Sequence, residues 1–82
     1  MTGSECKALR AKLGIKQIKL AWDCGLDPTL ISRWEAGVYR LREPQIAVIR
    51  DYLAQRLLEV KEEMLRLQLP DTEVDRALEV TR

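Results

Sequence analysis

Three polar residues, Thr29, Ser32 and Arg33, are spaced so that they share one face of a short helix. An arginine side chain carries a fork of N–H donors that suits the O6 and N7 edge of guanine. A serine or threonine hydroxyl can contact several bases, or a thymine methyl group. This chemistry is typical of base reading in the major groove of DNA. On these residues alone, an ordinary solvated helix face is the simpler interpretation.

The helix that carries these residues is predicted from Pro28 to about Glu35. Asp27 is a good N-terminal cap, and proline suits the first helical position because an N–H there would have no helical partner. The opposite face carries Ile31 and Trp34, which need a core. We therefore predict that Trp34 is buried and that the polar face points outward.

Two further helices are predicted before this one. The first is capped by Ser4, runs to about Lys12 and stops at Gly14. The second covers residues 16–24 and stops at Gly25. Because only three residues separate the second helix from the third, the two must cross steeply, which is the geometry of a helix-turn-helix.

The aromatic and thiol side chains of the first two helices are interpreted as structural. Ile18, Ala21 and Trp22 repeat at helical spacing, and Trp22 is predicted to be either core or half exposed. Cys6 and Cys24 lie on neighbouring predicted helices. In a reducing compartment we expect them to be small buried thiols and not a disulfide.

The second half of the chain is dominated by one long apolar pattern. After a loop over residues 38–43, a helix begins at Pro44 and meets no glycine or proline before Pro70, although a single break near Gln55 also fits. Its later part contains apolar residues spaced alternately by four and three, which form a heptad seam: Leu53, Leu57, Val60, Met64 and Leu67. The seam either covers the front helices within one chain or forms a dimer interface. A last short helix is predicted after Pro70.

Composition limits the functions that this chain can perform. Its 82 residues suffice for one domain, and with 46% apolar and 33% charged residues it has a normal globular balance. Two cysteines and no histidine leave too few ligands for a zinc site and remove the commonest general base. No glycine-rich phosphate loop is present either. We expect no enzyme activity, no metal and no cofactor.

Charge is divided unevenly along the chain. Lys and Arg outnumber Asp and Glu eight to four through Arg42, whereas nine acidic residues face six basic ones after it. A basic front half indicates a polyanionic partner, although unequal solvated faces also arise by chance. No apolar run approaches the roughly 20 residues needed to span a bilayer, and the N-terminus lacks a secretory pattern. We expect a cytoplasmic protein without membrane contact.

Residues 17–37 resemble the helix-turn-helix of the phage-repressor family, also called lambda-repressor-like or Cro/C1-type XRE. The matching positions hold their spacing without a gap: Gln17, Leu20, Ala21, Gly25, Ile31, Ser32, Trp34, Glu35 and Gly37. The similarity extends back over the first helix and forward to about Leu53. It implies an all-α, lambda-repressor-like bundle of four to five helices, ending here in a long C-terminal helix.

The resemblance also implies roles for individual residues. The third helix, residues 28–36, would be the recognition helix, with Thr29, Ser32 and Arg33 at base-reading positions. The other implied contacts are with backbone phosphates, from the start of the second helix and from the loop after Gly37: Lys16, Gln17, Tyr39, Arg40 and Arg42. Arg10 and Glu35 match a structural ion pair of the family.

The expected function is therefore sequence-specific binding of double-stranded DNA by a transcriptional repressor. Residues 1–54 would form the DNA-binding domain, and residues 55–82 a helical extension continuous with it. Since one recognition helix offers few contacts, the seam would join two chains in a homodimer. The alternative is a protein-interaction module, such as the antitoxin of a toxin–antitoxin pair, that holds its protein partner with the acidic, leucine-rich C-terminal helix.

Overall fold

The computed structural model describes residues 1–67, and in that range it contains only helices and their connections. We number the helices in chain order: α1 (Gly3–Leu13), α2 (Gln17–Asp23), α3 (Pro28–Glu35) and α4 (Glu43–Arg66). The predicted all-α class and the long last helix are confirmed. The short helix predicted after Pro70 lies outside the described residues. No helix within residues 1–67 combines the length and apolar composition that crossing a membrane requires.

The cap of α1 lies two residues before the predicted one. Thr2, and not Ser4, is the N-cap: its hydroxyl accepts the Glu5 N–H at 3.1 Å, while the Glu5 carboxylate accepts the Thr2 N–H at 3.0 Å. Such a capping box needs a Glu or Gln three residues after the cap. Thr2 has one in Glu5, whereas Ser4 is followed at that distance by Lys7, which has no acceptor. The helix ends before Gly14, as predicted. Gly14 itself has a left-handed conformation with φ of 68°.

The turn between α2 and α3 follows the predicted scheme. Gly25 has φ of 68°, a conformation that costs glycine little, and the next N–H, of Leu26, donates to the Ala21 carbonyl at 2.8 Å. The Asp27 carboxylate then accepts the Thr29 N–H at 2.8 Å and caps α3. These bonds stop one helix and start the next within a few residues, so the two helices must cross.

All four helices and two of the connecting loops contribute to one apolar core. Its buried members are Cys6, Ile15, Leu20, Ala21, Ile31, Trp34, Leu41, Ile46, Ile49 and Leu53. The start of α1 lies very close to the end of α3, because a Cβ on Gly3 would collide with the Trp34 carbonyl oxygen. Only glycine fits there. The predicted burial of Trp34 is confirmed.

Helix α4 is unbroken over 24 residues, so the break considered near Gln55 is absent. We call residues 43–53 of this helix the base and residues 54–66 the stem. The base supplies the only buried residues of α4, namely Ile46, Ile49 and Leu53. Leu53 was predicted to be an interface residue, but it is 4% exposed and packs in the core of its own chain. Leu53 is therefore removed from the predicted interface: the first position of the heptad seam is buried within the monomer, and the next position, Leu57, is exposed.

Candidate nucleic-acid interface

Helix α3 separates its polar and apolar residues cleanly. Thr29, Ser32 and Arg33 are exposed, whereas Ile31 and Trp34 are buried in the core. Asp27 caps the start of the helix, and Ile31 and Trp34 pack it against the core. The three exposed side chains therefore project from a helix whose position is fixed. The structure thus gives these three side chains the outward orientation that the sequence predicts.

The last residue of α3, Glu35, connects three helices through a buried carboxylate. The Arg10 guanidinium of α1 donates to it twice, from Nε to Oε2 at 2.8 Å and from Nη2 to Oε1 at 2.6 Å. The Gln17 amide of α2 donates to Oε1 at 3.1 Å, and the Cys6 thiol lies 3.4 Å from Oε2. Arg10 also donates to the Ile15 carbonyl at 2.9 Å. The predicted structural role of the Arg10–Glu35 pair is confirmed.

The charge state of this cluster follows from its surroundings. Burial opposes ionisation of Glu35, but the hydrogen bonds from Arg10, Gln17 and Cys6 outweigh it and keep the pKa of Glu35 below its usual value. Burial, reinforced by the neighbouring carboxylate, raises the pKa of Cys6 to about 12. Cys6 is therefore a neutral thiol at physiological pH and not a reactive thiolate.

The side chain of Gln17 does not point in the direction predicted from the sequence. We expected its side chain to point at a backbone phosphate, but it is half-buried and donates to Glu35. The buried carboxylate needs donors, and the first residue of α2 is close enough to supply one. Lys16, immediately before the helix, makes no capping hydrogen bond with its side chain and is exposed.

The loop after α3 is anchored at both ends and exposed between them. Gly37 turns the chain with φ of 80°, and the Val38 N–H donates to the Arg33 carbonyl at 2.9 Å. Leu41 is buried in the core, so Tyr39 and the arginines on either side of Leu41 project from a fixed point.

The cations predicted to contact DNA are exposed and make no ion pair within residues 1–67: Lys16, Arg33, Arg40 and Arg42. The hydrogen bonds of Arg42 are made by its backbone: its N–H donates to the Gln45 side chain at 3.0 Å, and its carbonyl accepts the Ile46 N–H at 3.0 Å. Such cations are available to a polyanion without first breaking a salt bridge. Within the same residues, no group of three or more His, Cys, Asp or Glu side chains is placed to hold a metal ion.

The outer surface of α2 does not follow from the sequence pattern. Leu20 and Ala21 are buried, whereas Trp22 is 72% exposed and Ile18 is 56% exposed. Of the three residues at helical spacing, Ile18, Ala21 and Trp22, only Ala21 is in the core, so the prediction that Trp22 is core or half exposed is wrong. The spacing identifies residues that lie near one another on the helix. It does not show which side the other helices cover.

A polar contact joins α2 to the base of α4. The Tyr52 hydroxyl donates to Asp23 Oδ2 at 2.6 Å, and Lys19 Nζ lies 3.1 Å from the same oxygen. Burial and this hydrogen bond raise the pKa of Tyr52 to about 12, so the phenol remains a donor at physiological pH. The contact fixes α2 against α4 on the side of Asp23.

The sequence profile of a protein family described as Helix-turn-helix matches residues 7–57, which is more than half of the chain. No curated protein and no solved structure gives a significant match. The matched range contains α2, α3 and every member of the Glu35 cluster except Cys6, together with the base of α4 and the first residues of the stem.

Proposed function

Since the chain belongs to the phage-repressor-like (Cro/C1-type XRE) helix-turn-helix family and is a DNA-binding regulator of this type, we propose that it is a sequence-specific repressor that binds double-stranded DNA as a dimer. The family is one of DNA-binding regulatory domains and not an enzyme family. In the proposed arrangement, α3 enters the major groove, the loop after it contacts the backbone, and the stem of α4 joins two chains.

The observation that carries this proposal is the outward polar face of α3. Arg33 offers a bidentate donor for guanine, and the hydroxyls of Thr29 and Ser32 suit several base edges. Precise base reading requires a helix that does not rock. The Glu35 cluster supports that requirement because it ties the end of α3 to α1 and α2 through four side-chain contacts.

Affinity would come mainly from the exposed cations around this face. Lys16, Arg40 and Arg42 have no ion pair within residues 1–67, and Tyr39 adds a hydroxyl donor. Each phosphate that such a cation neutralises releases counterions, so binding should weaken as salt rises. Gln17 is assigned a smaller part than the sequence suggested, since one of its amide hydrogens is used by Glu35.

The proposed dimer rests on the stem. The seam positions Leu57, Val60 and Met64 of the stem, and Leu67 just after it, are exposed or half-buried, and none belongs to the core. Pairing this seam with a second copy would bury it and bring two recognition helices to one duplex, where half-sites one turn apart lie about 34 Å from each other. We accordingly assign residues 1–54 to DNA binding and residues 55–82 to the extension.

A second candidate rests on the same surface. Leu58 and Leu65 are exposed beyond the seam, at 49% and 59%, so the apolar face of the stem is wider than a two-stranded coil needs. A protein partner, such as the toxin of a toxin–antitoxin pair, would also cover that width. Sedimentation of the purified chain distinguishes the two, because the dimer needs no other protein.

Selection of binding sites from random duplexes, at two salt concentrations, tests the proposed function. We expect a recurrent motif. Arg33→Ala should relax preference at one base pair by about 1–3 kcal/mol. The matched variant Arg40→Ala should weaken binding to all sequences and reduce the salt slope by about one. Equal, weak binding of selected and random DNA at physiological salt would refute the proposal.

A further inference from the structure

The outer face of α2 has no role in the proposed repressor. Of the seven residues of this helix, four are exposed: Ile18, Lys19, Trp22 and Asp23. The other three are buried or half-buried. Bases stacked in a duplex do not offer an indole ring a surface to stack on, so DNA reading does not account for Trp22. The core and the stem do not account for it either, since neither includes α2's exposed residues.

This face is a compact apolar pair beside a charged pair. Ile18 and Trp22 are four residues apart, and so are Lys19 and Asp23, so each pair stacks along the helix axis. Lys19 and Asp23 are already within salt-bridge distance of each other, at 3.1 Å, and their side chains are 57% and 37% exposed. Tryptophan is one of the residues enriched among the strong contributors to protein interfaces. Its exposure next to another apolar side chain points to a protein partner.

The order of these residues makes the face complementary to itself. If two copies of α2 meet antiparallel around a two-fold axis, Ile18 of each copy faces Trp22 of the other. In the same arrangement, Lys19 of each copy faces Asp23 of the other. A two-fold contact uses one surface patch on both molecules and requires this self-complementarity. The four charges would then alternate in sign around the contact.

We propose that the outer face of α2 binds the same face of a second copy of this chain when two molecules occupy neighbouring sites on one DNA duplex. This inference rests on the proposed function and adds to it cooperative occupancy of adjacent sites. It is separate from the stem, so one molecule can hold its dimer partner with α4 and a neighbouring dimer with α2.

The size of the face explains why DNA is needed. Four side chains per copy bury far less than the roughly 1,200 Å² that a stable complex requires. Free molecules should therefore not associate through it at ordinary concentrations. Two molecules held side by side on one duplex meet at a much higher effective concentration, and a weak contact then becomes significant. Coupling between such sites is typically about 5- to 150-fold in affinity.

The first experiment compares duplexes that carry one selected site with duplexes that carry two, over a series of spacings. At a permissive spacing, we expect the second molecule to bind about tenfold or more tightly than the first. Trp22→Ser should remove that factor and leave single-site affinity unchanged, because Trp22 is exposed and outside the DNA-contacting set. Val48→Ser, at an exposed apolar residue of the base, is the matched control and should retain cooperativity.

A mixing experiment tests the antiparallel pairing itself. Lys19→Glu alone places a carboxylate opposite Asp23 of the second copy, and Asp23→Lys alone places an ammonium group opposite Lys19, so each variant should lose cooperativity. In an equimolar mixture, every facing pair between unlike molecules has opposite charges, and cooperativity should return. Thermal melting of each variant checks that Asp23→Lys, which also loses the Tyr52 hydrogen bond, remains folded.

The outcomes separate this inference from the proposed function. Normal single-site binding together with cooperativity that survives Trp22→Ser would overturn the α2 contact and leave the repressor proposal standing. Absence of cooperativity at every spacing, as expected if the face binds some other protein, also overturns it. If no site is selected at all, the proposed function fails and the inference fails with it. Cooperativity that is absent with either charge variant alone and returns in their mixture supports the contact.

Discussion

The base and the stem of α4 belong to one uninterrupted helix with one apolar repeat, yet they have opposite environments. In the base, Ile46, Ile49 and Leu53 are buried against the other helices. In the stem, the same spacing continues through Leu57 and on to Leu67 just after the helix, and both are exposed. The repeat therefore identifies the side of the helix that packs. The length of α4 that packs within one chain depends on how far the other three helices extend.

The charge interactions of the packed helices and of the stem also differ. Between α1 and α3, Arg10 and Glu35 form a pair whose side chains are 12% and 2% exposed. On the stem, Arg56 and Glu59 form a pair at 2.9 Å whose side chains are 41% and 47% exposed. Water and salt screen the second pair much more than the first. We derive four predictions from this contrast between the packed part of the molecule and the stem.

The largest effect is expected in the base. Ile49 is fully buried, so Ile49→Ala should lower the free energy of unfolding by about 3 kcal/mol, through lost burial and the cavity left behind. Chemical denaturation measures it. Val48→Ala, at the exposed neighbour, should cost less than about 1 kcal/mol. Equal losses at the two positions would contradict the described packing.

The next effect is at Glu35. Glu35→Gln should cost about 2 kcal/mol at neutral pH, because charged hydrogen bonds are lost and Arg10 is left without its counter-charge. The pKa of Glu35 is depressed in the folded state, so its stabilisation is present above the usual value of 4.5 and is lost as pH falls through the folded value. Denaturation of the wild-type protein and of Glu35→Gln across this acid range should show that their free energies of unfolding converge. A gap that stays constant with pH would argue against an ionised Glu35.

A smaller effect is expected in the stem. If the seam joins two chains, Leu57→Ser should raise the dissociation constant of the dimer about tenfold, since part of a leucine side chain is no longer buried. Analytical ultracentrifugation measures it, and circular dichroism should show that the helices of the monomer persist. Glu62→Ala, on the charged side of the stem, should leave the constant unchanged. A wild-type protein that is monomeric at high micromolar concentration would refute the dimer.

The smallest effect is expected at the exposed ion pair. Arg56→Ala should change the free energy of unfolding by no more than about 0.5 kcal/mol, because pairs in water contribute little. Removing salt should enlarge this difference slightly. A loss comparable to that of Glu35→Gln would show that the stem is covered by something that shields the pair.

The candidate site was predictable in part. The outward positions of Thr29, Ser32 and Arg33 follow from one short helix with a strong cap and a clear apolar face. The orientation of Gln17 did not follow, because it depends on a carboxylate eighteen residues away that needs donors. The exposure of Trp22 did not follow either. Both faces of α2 carry apolar residues, and sequence spacing does not rank them.

The amino-acid sequence by itself determined two local features, the capped start of α3 and the glycine turn before it, because these depend on bonds between near neighbours. The Arg10–Glu35 pair joins residues 25 apart and was predictable only from the pattern of the family. Only the tertiary structure decided which face of α2 is covered, where Gln17 points, and that Leu53 belongs to the core while Leu57 does not. Periodicity defines the faces of a helix, but burial requires a neighbour, and neighbours are set by how the helices pack.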